Sequence, residues 1–173
     1  DTETEFIVWN EMLTRIGVLR GSWVFEDQQT KDALEAFQRE LVSAKTHELG
    51  WEFSDKDGHI LQQLKALMFG CAGSAGDPVV VKAAQDMFAR FAAGDYSAIH
   101  PNIRGNVFSI VLKYGGAKEY DAILKRFREA PTSDEKTTAL RCLGVAEDPA
   151  LVQRTLELAM SEEVRSQDIY MPL

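Results

Sequence analysis

The chain has 173 residues, 45% of them hydrophobic, enough for one domain, or a slice of one, around a real core. Lys and Arg number 19 against 27 Asp and Glu, a net charge of -8, so nucleic acid and anionic membranes are poor partners. No apolar run reaches the roughly 20 residues of a membrane helix, and none reads as a signal peptide before the first helix.

The pattern is a repeated beat of apolar helical stripe, breaker and helix-starting residue. The first helix is expected over Glu3 to Arg20, with Phe6, Trp9, Leu13 and Ile16 on one face. Trp23, Val24 and Phe25 follow as an apolar plug for the turn. The second helix follows Asp27, presents Leu34, Phe37, Leu41 and Ala44, and stops at Gly50. Ser54–Asp57 offers N-caps for a third helix with the widest stripe: Ile60, Leu61, Leu64, Leu67, Met68 and Cys71. That helix is placed deepest in the core, and Gly70–Gly76 reads as a flexible hairpin after it.

Prolines open three later helices, where a first turn does not need the missing N–H. Asp77-Pro78 starts the fourth, with Val80, Ala84, Met87, Phe88 and Phe91. Pro101, capped by His100, starts the fifth, with Ile103, Val107, Ile110 and Tyr114. The sixth follows Gly115-Gly116 and presents Tyr120, Ile123, Leu124 and Phe127. Thr132 and Glu135 form a capping-box pattern before the seventh, which shows Ala139, Leu140 and Leu143 before Gly144. Asp148-Pro149 starts the eighth, with Val152, Leu156 and Ala159. Ser161 to Leu173 is acidic, then apolar, and is expected to lack a packing partner, leaving Ile169, Tyr170 and Met171 to drive self-association. Nothing alternates with period two. The fold class is therefore all-α: an α-α superhelix of antiparallel HEAT/armadillo-like hairpins, about eight helices.

Chemistry-bearing patterns are scarce. His47-Glu48 begins the zinc motif H-E-x-x-H, but Trp51 stands where the second histidine belongs and Gly50 breaks the helix. His47 is expected on a solvated face, and His59 in a polar first turn. No phosphate-binding lysine accompanies the glycine-rich stretch. Lys125, Arg126 and Arg128 read as a solvated basic face, and Glu162-Glu163 as dipole partners of a helix start. Cys71 and Cys142, each on an apolar face, read as free thiols, which favours a reducing, cytoplasmic compartment. No catalytic residue and no metal ligand is assigned.

Three stretches occur together in order: Leu49-Gly50-Trp51 with Gly58-His59; Ile103-Arg104 with Val107-Phe108 and Val111-Leu112-Lys113-Tyr114-Gly115; and Ala159-Met160-Ser161-Glu162-Glu163-Val164-Arg165-Ser166-Gln167-Asp168. The last resembles the A-L-S-x-E-V-R-x-Q-D segment in the C-terminal helical domain of puromycin-sensitive-type zinc aminopeptidases. The middle one resembles that family's L-R-x-x-V-Y-x-x-x-L-K-x-G helix, with Phe108 in the tyrosine position. Fungal cytosolic members are the nearest relatives by this likeness.

The resemblance implies that residues 1–173 are a fragment of that C-terminal domain, cut short at its C-terminal end, with the catalytic and β-sandwich domains absent. It implies a wall over the active-site chamber of an enzyme that removes N-terminal residues from peptides. It implies zinc in the parent enzyme, no cofactor in this chain, and as partners a peptide substrate and the same polypeptide's catalytic domain. Arg104 and Arg141 are the candidate contacts for peptide or catalytic domain, since a guanidinium pairs with carboxylates. For each, an ordinary ion pair inside the domain is the competing expectation. The alternative function is a stand-alone helical-repeat adaptor that binds a partner peptide or helix on its concave face.

Overall fold

The computed structural model describes residues 3–172. Those residues form eight α-helices: α1 (Phe6–Ser22), α2 (Gln28–Leu49), α3 (His59–Ser74), α4 (Pro78–Ala92), α5 (Arg104–Tyr114), α6 (Ala117–Glu129), α7 (Ser133–Leu143) and α8 (Pro149–Ala159). Three short 3-10 turns, Tyr96–Ala98, Pro101–Ile103 and Ser166–Asp168, complete the regular structure, and no strand occurs among the described residues. The expected all-α class is what the molecule has, and the succession of short-linked helices is consistent with an α-α superhelix. No single helix among the described residues is long and apolar enough to cross a membrane. Contacts divide the chain into two compact units, Asp1–Lys82 and Ala83–Leu173.

In the first unit α3 packs against both α1 and α2. Trp9, Leu13 and Ile16 are buried on α1, as the stripe requires, and Met68, Phe69 and Ala72 are fully buried on α3. On α2 the stripe misleads. The buried positions are Leu34, Gln38, Val42, Lys45 and Thr46, whereas Phe37 is 56% exposed and Ala44 lies outside the core. Polar side chains win this face because they reach backbone carbonyls of α3 and of its C-cap residue, Ala75. Gln38 Nε2 donates to the Cys71 carbonyl at 2.8 Å, Arg39 Nη1 to that of Ala75 at 2.9 Å, and Thr46 Oγ1 to that of Met68 at 3.2 Å.

Two further expectations fail in this unit. Trp23, Val24 and Phe25 do not plug the turn, since Phe25 is 98% exposed and the other two are also exposed. The glycine-rich stretch is not a flexible hairpin, because α3 continues through Gly70 and Gly73 to Ser74. Only Gly76, at φ 77°, adopts a conformation that favours glycine there.

In the second unit α5 is the central helix, packed by α6 and α7, with Val107, Phe108, Ile110, Val111 and Leu112 all buried. Phe108 meets Phe88 and Phe91 edge-on at centroid distances of 5.8 and 5.4 Å. On α8 the buried residues are Leu151, Thr155, Leu158 and Ala159, so the expected Val152 and Leu156 face outward. The reason is again a polar anchor: the Thr155 hydroxyl lies 2.9 Å from the Tyr120 hydroxyl and 3.3 Å from the Leu143 carbonyl. The segment after α8 packs rather than hanging free. Val164, Asp168 and Pro172 are buried, and Ile169 and Met171 are half-buried; of the expected apolar group only Tyr170 is well exposed.

Candidate functional site

A polar cluster of the second unit gathers around the start of α5. His100 caps the Pro101–Ile103 turn, its Nδ1 accepting from the Asn102 amide at 3.2 Å, and the chain then delivers Arg104 as the first residue of α5. Arg104 Nη1 lies 2.8 Å from Glu135 Oε1, with 13% of the arginine side chain exposed. A second guanidinium, Arg126 of α6, pairs with the other oxygen of the same carboxylate. Both cations sit over aromatic rings. Arg126 is 4.4 Å from the Tyr96 centroid and 5.6 Å from that of Phe91, and Arg104 is 5.9 Å from Phe91.

Arg126 is a residue that reading the sequence missed. It was expected on a solvated basic face, but its side chain is only 9% exposed, while Lys125 beside it remains in solvent. The available signal was its spacing: Tyr120, Ile123 and Phe127 define the buried face of α6, and position 126 falls beside Ile123 at i+3. Glu135 is likewise displaced from its expected role. Thr132 caps α7 by accepting from the Glu135 amide at 3.3 Å, but the Glu135 carboxylate goes to the two guanidiniums instead of completing a capping box. Two cations outbid a single backbone N–H.

Arg141, in the last turn of α7, is exposed, and no ion-pair partner reaches it among the described residues. The next residue, Cys142, is buried and lies 3.4 Å from the Gly105 carbonyl and 3.5 Å from the Ser109 hydroxyl. Burial raises its thiol pKa, and burial also pushes the Cys71 thiol up to about 11, which disfavours the thiolate at both positions.

The A-M-S-E-E-V-R-S-Q-D stretch lines a cleft of about 640 Å³ with the α6–α7 junction. Glu163 does not begin a helix, contrary to expectation; it accepts from Arg128 Nε at 2.6 Å and Nη2 at 2.9 Å. The Arg128 hydrogen bonds hold the Glu163 carboxyl below its usual range. Arg165 pairs with Asp168 at 2.6 Å, and Val164 is buried between these two pairs in sequence. The motif therefore works here as a clamp that fastens the last segment to α6.

The histidines take local roles. His47 Nε2 lies 3.0 Å from Asp77 Oδ2, a partner that the solvated-face reading did not anticipate. His59 contacts Gln63 at 3.0 Å within the first turns of α3. Among the described residues no three His, Cys, Asp or Glu side chains converge on a point that could hold a metal ion.

Fold and cluster describe a helical domain, and comparison with known proteins specifies which. The family model for the ERAP1-like C-terminal domain matches residues 1–173, and the chain belongs to that family. Aminopeptidase 2 of Candida albicans is 43% identical over 172 residues, covering 99% of this chain and 19% of the relative. Aminopeptidase 2, mitochondrial, of Saccharomyces cerevisiae is 40% identical over 173 residues, covering 100% of this chain and 18% of the relative. The alanine/arginine aminopeptidase of the same yeast is 34% identical over 171 residues. The chain thus spans about a fifth of the length of the curated relatives it matches.

Proposed function

We propose that this chain is the non-catalytic C-terminal part of a zinc aminopeptidase that removes N-terminal residues from peptides. The observation that carries this reading is the match to the family along all of residues 1–173, together with 40–43% identity to two fungal proteins named as aminopeptidases. In this reading the helices wall the active-site chamber, and the catalytic and β-sandwich domains belong to the same polypeptide. Packed helical hairpins suit the task, because a wall that admits peptides and excludes folded proteins must be stiff. The HEAT-like repeat and a cytoplasmic location belong to the same proposal.

Zinc is assigned to the catalytic domain. The residues of this chain do not fit it, since no group of three ligands converges among those described, and no step is derived through the metal here. What this chain contributes is contact. Arg104 and Arg141 are proposed to meet the peptide or the catalytic domain, Arg141 through an exposed guanidinium that no ion-pair partner reaches among the described residues and Arg104 from the edge of its pair with Glu135.

The test captures the native protein with antibodies raised against this chain. A polypeptide several times larger than 19.3 kDa that releases N-terminal residues and is stopped by a zinc chelator supports the proposal. A captured protein near 19.3 kDa without such activity supports the adaptor instead. In the complete enzyme, Arg104→Ala is expected to raise KM for longer peptides and to spare single-residue chromogenic substrates. Unchanged kinetics on both substrates would remove Arg104 from the site.

A further inference from the structure

The cluster at the start of α5 does not balance its own charge. Two guanidiniums, Arg104 and Arg126, share the single carboxylate of Glu135, and all three side chains are largely withdrawn from water, at 13%, 9% and 17% exposure. No other anionic side chain pairs with either arginine among the described residues. The imbalance reaches individual atoms: Nε of Arg104 and Nε of Arg126 are both buried without a hydrogen-bond acceptor among the described residues. Arg104 also occupies the first position of α5, where the helix dipole already disfavours a cation. Aromatic faces from Phe91 and Tyr96 lie over the pair but supply no acceptor oxygen. The chain as a whole is strongly acidic, so this surplus of positive charge is a local construction. A buried charge normally has a partner.

We propose that Arg104 and Arg126 form a half-filled carboxylate site, with Glu135 supplying one anion and a second carboxylate arriving from outside this chain. A carboxylate fits better than a metal or a neutral group because the unpartnered atoms are N–H donors, one on each of two cationic guanidiniums, and a carboxylate offers two anionic oxygens. Tyr96, half-exposed at 49%, flanks Arg126 at the solvent side, where an entering ligand can meet its ring. This deepens the aminopeptidase reading and rests on it only for the owner of the second carboxylate, either a substrate's terminus or an acidic side chain elsewhere in the polypeptide.

The experiment follows the Arg104 and Arg126 Nε–H resonances of the chain as acetate is added, against chloride at equal ionic strength. Saturable shifts with acetate alone are expected. Shifts no larger than those in chloride overturn the proposal, whatever the enzyme assay finds. Glu135→Gln, which removes the internal competitor, is expected to tighten acetate binding by about tenfold, and Arg126→Gln to weaken it by about as much. Tighter acetate binding in Glu135→Gln is an outcome that a purely structural ion pair does not produce. An acetylated tetrapeptide with a free C-terminus that binds more tightly than acetate, when its amide does not bind, assigns the second carboxylate to a substrate. A free acid that binds no better than acetate assigns it to a side chain of the polypeptide, and either result supports the site.

Discussion

Gly144 follows the last residue of α7 with φ -69° and ψ -8°, a conformation open to any residue. What requires glycine here is space, because a Cβ at this position would run into the backbone carbonyl of Pro172. Gly17, inside α1, is the opposite case: a Cβ there would meet no atom of another element among the described residues, so the glycine only weakens its helix. Gly144→Ala is therefore expected to destabilise the chain by about 1–3 kcal/mol, the range for overpacking, and to loosen the segment after α8. Gly17→Ala is expected to stabilise it by about 0.5–1 kcal/mol. Urea unfolding of the two variants checks both signs, and a neutral Gly144→Ala would mean that Pro172 yields without cost. Nothing in the residues around Gly144 announces this contact, since Pro172 approaches only after α8 has turned the chain back.

At the scale of elements, the helix starts were legible and several faces were not. Asp77-Pro78 is a helix start by its sequence, and the structure shows more. Asp77 Oδ1 accepts from the amides of Val79 and Val80 at 3.0 and 3.1 Å, while Oδ2 holds His47 of α2. Burial works to raise the Asp77 pKa, but the Val80 amide and the His47 imidazole help to outweigh it, and the group stays below its ordinary 3.8. A lowered folded pKa contributes stability above 3.8 that is lost as pH falls through the folded value. Asp77→Ala is thus expected to cost about 1–2 kcal/mol at neutral pH, with the gap to wild type closing below about pH 4. Thermal unfolding across that range measures it; a gap that persists into acid would show that the carboxylate's charge is not what caps α4. The misread faces of α2 and α8 have one cause. Gln38, Thr46 and Thr155 are buried because they reach carbonyls or hydroxyls on other helices, and a periodicity of apolar residues cannot register such a partner.

At the scale of the whole molecule, the exposed apolar residues concentrate in the first unit, where Ile7, Val18, Phe25 and Phe37 are at least half exposed. Beside them Met12, Ile16, Phe37 and Leu41 line an open groove between α1 and α2. Self-association was expected at the other end, from Ile169, Tyr170 and Met171, but the packing of that segment moves the expectation here. The chain by itself is expected to associate at high concentration, and more strongly in salt, because screening relieves the repulsion of a net charge of -8. Sedimentation velocity with and without Phe25→Ser and Phe37→Ser tests this, and a wild-type monomer throughout would sink it.

The sequence by itself determined the helical class, nearly every helix start and the family, because caps, prolines and stripes are local and the family's segments are linear. Tertiary structure alone decided that Arg126 is buried, that Glu135 leaves its capping box, and that the E-E-V-R-S-Q-D stretch clamps Arg128. Charges choose partners by distance in space, and those partners stand 9 and 35 residues apart in the chain.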